Sequence, residues 1–272
     1  MKRMVFYLSD RTGITAETLG HSLLTQFEAM PFERESVRFV DSLEKANNFA
    51  ARINRVAAET GTRPIVFSTL VNPDLRETIS DSHCVFFDLF DAFIEPLEQE
   101  LGAKSSHAAG RSHSMAYEAG YEARVDAVNF SLHHDDGIST RDYHKADVII
   151  IGVSRSGKTP TSLYLALHYG IYAANYPLTE EDRGELRLPD ALRPYRDRLF
   201  GLMIKAERLQ QIRSKRRPDS RYASLKQCQF ETRQVEALYR AQGIPAVDTT
   251  TMSVEEIATS ILQDERLKRP GL

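Results

Sequence analysis

Cysteine is scarce: in 272 residues only Cys84 and Cys228 occur, the first inside the apolar run Cys84-Val85-Phe86-Phe87 and the second far along the chain. That pair excludes a disulfide framework and a Cys-based zinc site, and it suits a cytoplasmic protein. Long apolar runs are missing too. Basic residues precede Val5-Phe6-Tyr7-Leu8, but that run is far too short for a signal peptide or a membrane span and is expected to be a first β-strand. The third absence is an excess of positive charge. With 35 Lys and Arg against 38 Asp and Glu, the formal charge is −3, which supplies no electrostatic reason to expect nucleic acid as a partner. What remains, 42% hydrophobic and 27% charged residues, suits one large α/β domain or two smaller ones.

The most informative stretch is Asp147-Val148-Ile149-Ile150-Ile151 followed by Gly152-Val153-Ser154-Arg155-Ser156-Gly157-Lys158-Thr159. A β-branched run leads into Gly-x-x-x-x-Gly-Lys-Thr, and Ser162 to Leu167 continue with helical character to Gly170, a C-cap residue. In a phosphate-binding loop the backbone amides of residues 152–159 face the anion. Lys158 reaches the terminal phosphates, and the Thr159 hydroxyl holds Mg²⁺. An ordinary βα turn with a solvated Lys158 is the competing reading; the strand before and the helix behind argue against it. The stretch Ser9 to Glu17, after the first expected strand, shows no repeat elsewhere in the sequence.

Strands are expected at Val5–Leu8, Val37–Val40, Ile65–Ser68 and Cys84–Phe87, with helices near Thr15–Ala29, Leu43–Glu59, Pro73–Ser80 and Ala92–Leu101. Alternation of this kind predicts an open parallel sheet covered by helices. After the first strand, Ser9 to Glu17 form either an anion- or partner-binding turn or a plain helix start, with Thr12 or Thr15 as cap and Asp10 closing the turn. From Gly102 to Ser114 the composition shifts to Ala, Ser, Gly, His and basic residues, which marks a linker. Tyr121, Val125, Val128 and Leu132 then recur at helical spacing as one apolar stripe, and His133-His134-Asp135-Asp136-Gly137 ends that helix. A metal site from His107, His113, His133 and His134 with an Asp fits no compact ligand spacing. His134, Asp135 and Asp136 suit a different role, as a base for a hydroxyl nucleophile or as carboxylates for Mg²⁺; a capped helix end followed by a turn is the alternative.

Beyond the glycine loop, strands are expected at Ile171–Asn175, Leu199–Ile204 and Ile244–Asp248. Helices are expected at Ala206–Arg216, Tyr222–Ala241 and from Ser253 to about Asp264, the last opened by a Ser253/Glu256 capping box. Lys205, Arg208, Arg213, Lys215, Arg216, Arg217 and Arg221 crowd one segment, which is either a solvated face or a mobile lid clamping phosphate. Asp248, at a strand end, is a candidate second Mg²⁺ carboxylate. The expected organisation is an N-terminal open parallel-sheet α/β domain at 1–104 for target binding or regulation. A linker and helix carrying His-Asp-Asp-Gly follow at 105–140, and a nucleotide-binding α/β domain with kinase or phosphotransferase chemistry at 141–272.

The chain resembles the PEP synthase regulatory proteins, the bacterial branch of a family that includes the pyruvate, phosphate dikinase regulatory proteins. The resemblance is carried by Tyr7-Leu8-Ser9-Asp10 with Ile14-Thr15-Ala16-Glu17, by His134-Asp135-Asp136-Gly137-Ile138-Ser139, and by Gly152-Val153-Ser154-Arg155 with Gly157-Lys158-Thr159-Pro160-Thr161-Ser162. It extends through Ala173-Ala174-Asn175-Tyr176-Pro177, Ser220-Arg221-Tyr222-Ala223-Ser224-Leu225 and Ser253-Val254-Glu255-Glu256-Ile257-Ala258, so it covers nearly the whole chain. Ser156 stands where Cys is often found, and Arg11 and Gly13 replace a small residue and Ala.

The resemblance implies two activities on one protein substrate, PEP synthase. One is ADP-dependent phosphorylation of a threonine, which inactivates the target; the other removes that phosphate with inorganic phosphate as acceptor and releases pyrophosphate. ADP would lie with its β-phosphate against Lys158 and the loop amides, and one loop would serve both steps. Alternatives are the same activities on pyruvate, phosphate dikinase, an ATP-dependent small-molecule kinase, and a nucleotide-sensing module that acts by contact alone. Oligomeric state stays open, a homodimer included.

Overall fold

A computed structural model describes residues 2–106, 118–179, 182 and 186–264. The chain divides into two compact units, Met1–Ser114 and Met115–Leu272, each an α/β layer structure around a four-stranded, all-parallel sheet.

In the first unit β1 (Arg3–Leu8), β2 (Phe32–Val37), β3 (Ile65–Ser68) and β4 (Val85–Asp88) stand in the order β2-β1-β3-β4. They alternate with α1 (Ile14–Leu24), α2 (Leu43–Thr60), α3 (Pro73–Ser80) and α4 (Asp91–Leu101). Because side chains alternate along a strand, Phe6 and Leu8 join Phe49, Ile53, Val66 and Leu70 on one face, while Val5 and Tyr7 join Ala16, Leu24 and Phe67 on the other. Both faces are covered, as a parallel sheet requires.

The second unit opens with α5 (Glu118–His133), which ends in a 3₁₀ turn at Asp135–Gly137. Its strands β5 (Val148–Gly152), β6 (Ala173–Pro177), β7 (Leu199–Met203) and β8 (Ala246–Asp248) stand in the order β6-β5-β7-β8. The helices are α6 (Lys158–Tyr169), α7 (Ala206–Arg216), α8 (Leu225–Gln242) and α9 (Val254–Leu262). Every residue of β5 is buried, with Ile149 and Ile151 in one core and Val148 and Ile150 in the other. The Ser253/Glu256 capping box at α9 is present as expected.

Several expectations are corrected. The second strand lies at Phe32–Val37 rather than Val37–Val40: as an edge strand it carries Glu33, Arg34 and Glu35, which hide it from any hydrophobic pattern, and Phe39 leaves the strand at φ 58°. The sixth is Ala173–Pro177, two residues beyond the expected stretch. On α5, Tyr121, Val125 and Leu132 are exposed, whereas Ala127, Phe130 and Ser131 face inward. Neither Thr12 nor Thr15 caps α1; its N-cap is Gly13 in the left-handed region, with no side-chain cap. Most of the basic segment forms α7, and it is not wholly a solvated face, since Arg213 within it is fully buried. His107 and His113 lie outside the described residues.

A repeat is present after all. Both sheets share one strand order, and in both the first strand leads through five residues, 9–13 and 153–157, into a helix capped by a left-handed glycine. Leu8-Ser9-Asp10-Arg11-Thr12-Gly13-Ile14-Thr15 thus matches Gly152-Val153-Ser154-Arg155-Ser156-Gly157-Lys158-Thr159 position by position.

Candidate active site

The glycine loop sits at the carboxyl end of β5, where the strand order reverses direction, the place at which open α/β sheets collect ligands. Two glycines make its shape. A Cβ on Gly152 would lie 2.7 Å from Ser156 Oγ and 2.9 Å from the Leu202 carbonyl oxygen, so only glycine lets the loop fold down onto β7. Gly157, at φ 101°, turns the chain into α6. Among the described residues the amides of Arg155, Gly157, Lys158 and Thr159 have no backbone acceptor. Together with the positive end of α6 they form a ready anion cradle.

Lys158 is almost fully buried. Its ammonium donates to the Val153 carbonyl at 3.2 Å and stands 3.7 Å from Asp136 Oδ1. Burial pushes its pKa down to about 8, while Asp136 and Asp135 pull the other way and Arg155 adds to the lowering. Thr159 Oγ1 donates to Asp135 Oδ1 at 2.7 Å. The structure therefore brings Lys158, Thr159, Asp135 and Asp136 together, although Asp135 lies 24 residues before Thr159.

Asn175, fully buried at the centre of β6, makes that meeting possible, and sequence reasoning missed it. Its Nδ2 donates to Asp135 Oδ1 and its Oδ1 accepts from the Asp136 amide at 2.9 Å. Its own amide donates to the His134 carbonyl at 3.1 Å. Asp136 is held at φ 45°, uncommon for any residue but glycine. The signal was a polar residue in an otherwise apolar strand, which must find buried partners. His134 does not reach the loop. Its Nδ1 donates to the Phe130 carbonyl at 2.7 Å and its ring stacks on Phe130 at 4.1 Å, so it packs beneath the turn.

A second support is Arg213 on α7. Its guanidinium donates to Glu231 at 2.8 Å, to the Ser154 carbonyl at 3.1 Å and to the Tyr222 carbonyl at 3.1 Å, and it lies 4.1 Å over the Tyr222 ring. This buried pair ties the loop to α7 and α8. Its sequence signal was lost among neighbouring surface cations.

Asp248 is not brought to Thr159. Its carboxylate accepts from the Thr250 amide and hydroxyl, and it lines a separate cavity of about 200 Å³ with Val153, Met203, Lys205 and Glu236. Among the described residues no three His, Cys, Asp or Glu side chains cluster as a metal cage. The oxygen pair Thr159 and Asp135 does suit Mg²⁺, a hard cation that is commonly held by one or two carboxylates together with substrate phosphates. Among the described residues no helix is long and apolar enough to cross a membrane.

Comparison with known proteins agrees with this geometry. Residues 5–262 match the family described as kinase/pyrophosphorylase. A protein of Legionella pneumophila strain Lens, provisionally named a phosphoenolpyruvate synthase regulatory protein, is 56% identical over 269 residues, 99% of each chain. Similarly named proteins of Halorhodospira halophila, 54% identical over 98% of each chain, and Hahella chejuensis, 51% over 99% of each, extend the likeness. With the match running through both sheets, the glycine loop and the His-Asp-Asp-Gly turn, the chain belongs to the kinase/pyrophosphorylase family.

Proposed function

We propose that this protein regulates phosphoenolpyruvate synthase in the cytoplasm by two opposed phosphoryl transfers at one site. In the first, ADP donates its β-phosphoryl group to a threonine of the target; in the second, inorganic phosphate takes that group back as pyrophosphate. The observation that carries this reading is the convergence of Lys158, Thr159 and the two aspartates under loop amides that, among the described residues, have no backbone acceptor. The family supplies the reaction class and the relatives' names supply the target.

Each group then has a role set by its contacts. The loop amides and Lys158 bind the β-phosphate and offset the charge on its oxygens as the bridging bond stretches. Asp135 is engaged by Thr159 and Asn175, so it holds the loop and the turn together. Asp136, more exposed and meeting, among the described residues, only the Lys158 ammonium, is the carboxylate placed to take the threonine proton. Bound Mg²⁺, held by Thr159 and Asp135, would neutralise charge on the phosphate oxygens.

The test is to combine the protein with phosphoenolpyruvate synthase and ADP, or ATP in parallel, and to locate the modified residue by mass spectrometry. A single phosphothreonine formed from ADP is expected. Lys158→Ala should lose both activities, and Asp136→Asn should lose kinase turnover by about a hundredfold or more while still binding ADP. Phosphate-dependent reactivation that survives in Lys158→Ala would refute the shared site.

A further inference from the structure

The glycine loop has two flanks. Asn175 and the aspartates stand on the β6 side, whereas α7 follows β7, and these two strands border β5 on opposite sides. On the α7 side, Ser154, Arg155, Arg216, Arg217 and Tyr222 line a cavity of about 220 Å³. Three guanidiniums, always charged, face this small space, and among the described residues none of them is paired with a carboxylate. Like charges so gathered repel one another unless an anion lies between them.

The fold nevertheless holds the cavity in shape. Arg155 keeps φ 77°, a left-handed conformation uncommon for a residue with a Cβ. Ser154 Oγ and Tyr222 Oη are hydrogen-bonded at 2.9 Å, and buried Arg213 grips the carbonyls of both residues. Arg155 also acts electrostatically on Lys158, so cavity and ammonium lie within one another's field.

We propose that this cavity is the subsite for the phosphate that is not transferred: the α-phosphate of ADP in one direction and the attacking inorganic phosphate in the other. The assignment of substrates rests on the function proposed above. In the forward step the threonine oxygen bonds to the β-phosphorus, the bond from that phosphorus to the bridging oxygen breaks, AMP leaves with the oxygen, and the hydroxyl proton passes to Asp136. In the other step an oxygen of inorganic phosphate bonds to the phosphothreonine phosphorus, the threonine oxygen leaves and regains a proton, and pyrophosphate departs. AMP and inorganic phosphate hold the same position relative to the moving group. Pyrophosphate lacks only the nucleoside, so one arginine-lined subsite serves both. The aspartates, on the far flank, meet only the transferred group.

Calorimetric titration of the full chain with AMP and with pyrophosphate, alongside the phosphate KM of reactivation, tests this on Arg216→Ala/Arg217→Ala and on the corresponding double Lys variant. Both arginines are exposed at a helix end, so the fold should hold, and circular dichroism checks it. Affinity for AMP and pyrophosphate should fall by about tenfold or more, the phosphate KM should rise by about as much, and Lys should restore part of each. Values within about twofold of wild type would overturn the subsite. If the wild-type chain transfers nothing from ADP yet the double Ala variant still loses AMP and pyrophosphate binding, the subsite stands and the proposed function falls. If the wild-type chain binds neither, the subsite falls as well.

Discussion

The two first-strand loops of this molecule have the same length, the same left-handed glycine cap and an arginine and a threonine at matching positions, yet the second alone is equipped for chemistry. In the first unit the strand ends in Leu8, whose side chain fills the core; in the second it ends in Gly152, whose missing side chain lets the loop drop onto the Leu202 carbonyl. Ile14 opens its helix largely exposed, whereas Lys158 at the matching position is buried against Val153 and Asp136. Among the described residues Thr15 meets no carboxylate, while Thr159 meets Asp135. Length and the left-handed glycine cap are thus common to both loops, but Arg155 takes φ 77° where Arg11 stays out of the left-handed region. What separates them further is one absent Cβ, one ammonium and an imported pair of carboxylates.

The sharpest way to break this contrast is Gly152→Val, which restores a side chain at the strand end. Contacts below 3 Å with Ser156 and Leu202 force the loop upward, so diphosphate binding should fall by about a hundredfold or more by calorimetry, with a stability loss of about 1–3 kcal/mol. Next comes the strut that only the second loop has. Arg213→Ala removes the buried cation that faces Glu231 and should cost about 3–5 kcal/mol in denaturant unfolding. A loss below about 1 kcal/mol would show that the pair does not support the loop.

The buried ammonium gives a pH-dependent test. The folded pKa of Lys158, about 8, lies below its ordinary value of 10.5. Between those values the unfolded chain binds the extra proton, so wild-type stability should rise with pH across that window. Below it the penalty is fully present, on the order of 3 kcal/mol at most. Lys158→Met should therefore be more stable than wild type at pH 7, and the gap should close toward pH 10. Diphosphate binding near pH 8 should take up a proton, visible as a dependence of binding heat on buffer ionisation. The smallest effect is expected from Ile14→Lys in the first unit: stability within about 0.5 kcal/mol and no second ADP equivalent bound, because a lysine alone brings neither the left-handed turn at Arg155 nor the carboxylate that meets Thr159. A second equivalent would show that the ammonium alone distinguishes the two loops.

Much of this was legible beforehand. Pro73–Ser80 and Ala206–Arg216 were placed to the residue, because a helix is written in its own apolar period, caps and stops. The edge strand β2 was not, since charge suits an exposed edge and erases the pattern that marks a strand. The inward face of α5 was misread for a related reason: small Ala127 and Ser131 allow close packing, and the larger Tyr121 and Leu132 are left outside.

The α/β class, the glycine loop with its lysine and threonine, and the placing of most helices could be read from the sequence alone, because they depend on residues within about two turns of one another; the first helix, expected to reach Ala29, stops at Leu24. Which carboxylate meets Thr159, that Asn175 bolts the turn, that Arg213 is a strut and that the first unit carries a loop of the same length and cap emerge from the packed chain alone. These rest on contacts spanning 24, 40 and 59 residues, or on equivalence between two sheets. Such partners are set by where parallel strands and their crossovers leave buried polar groups facing one another, and local spelling carries no trace of that.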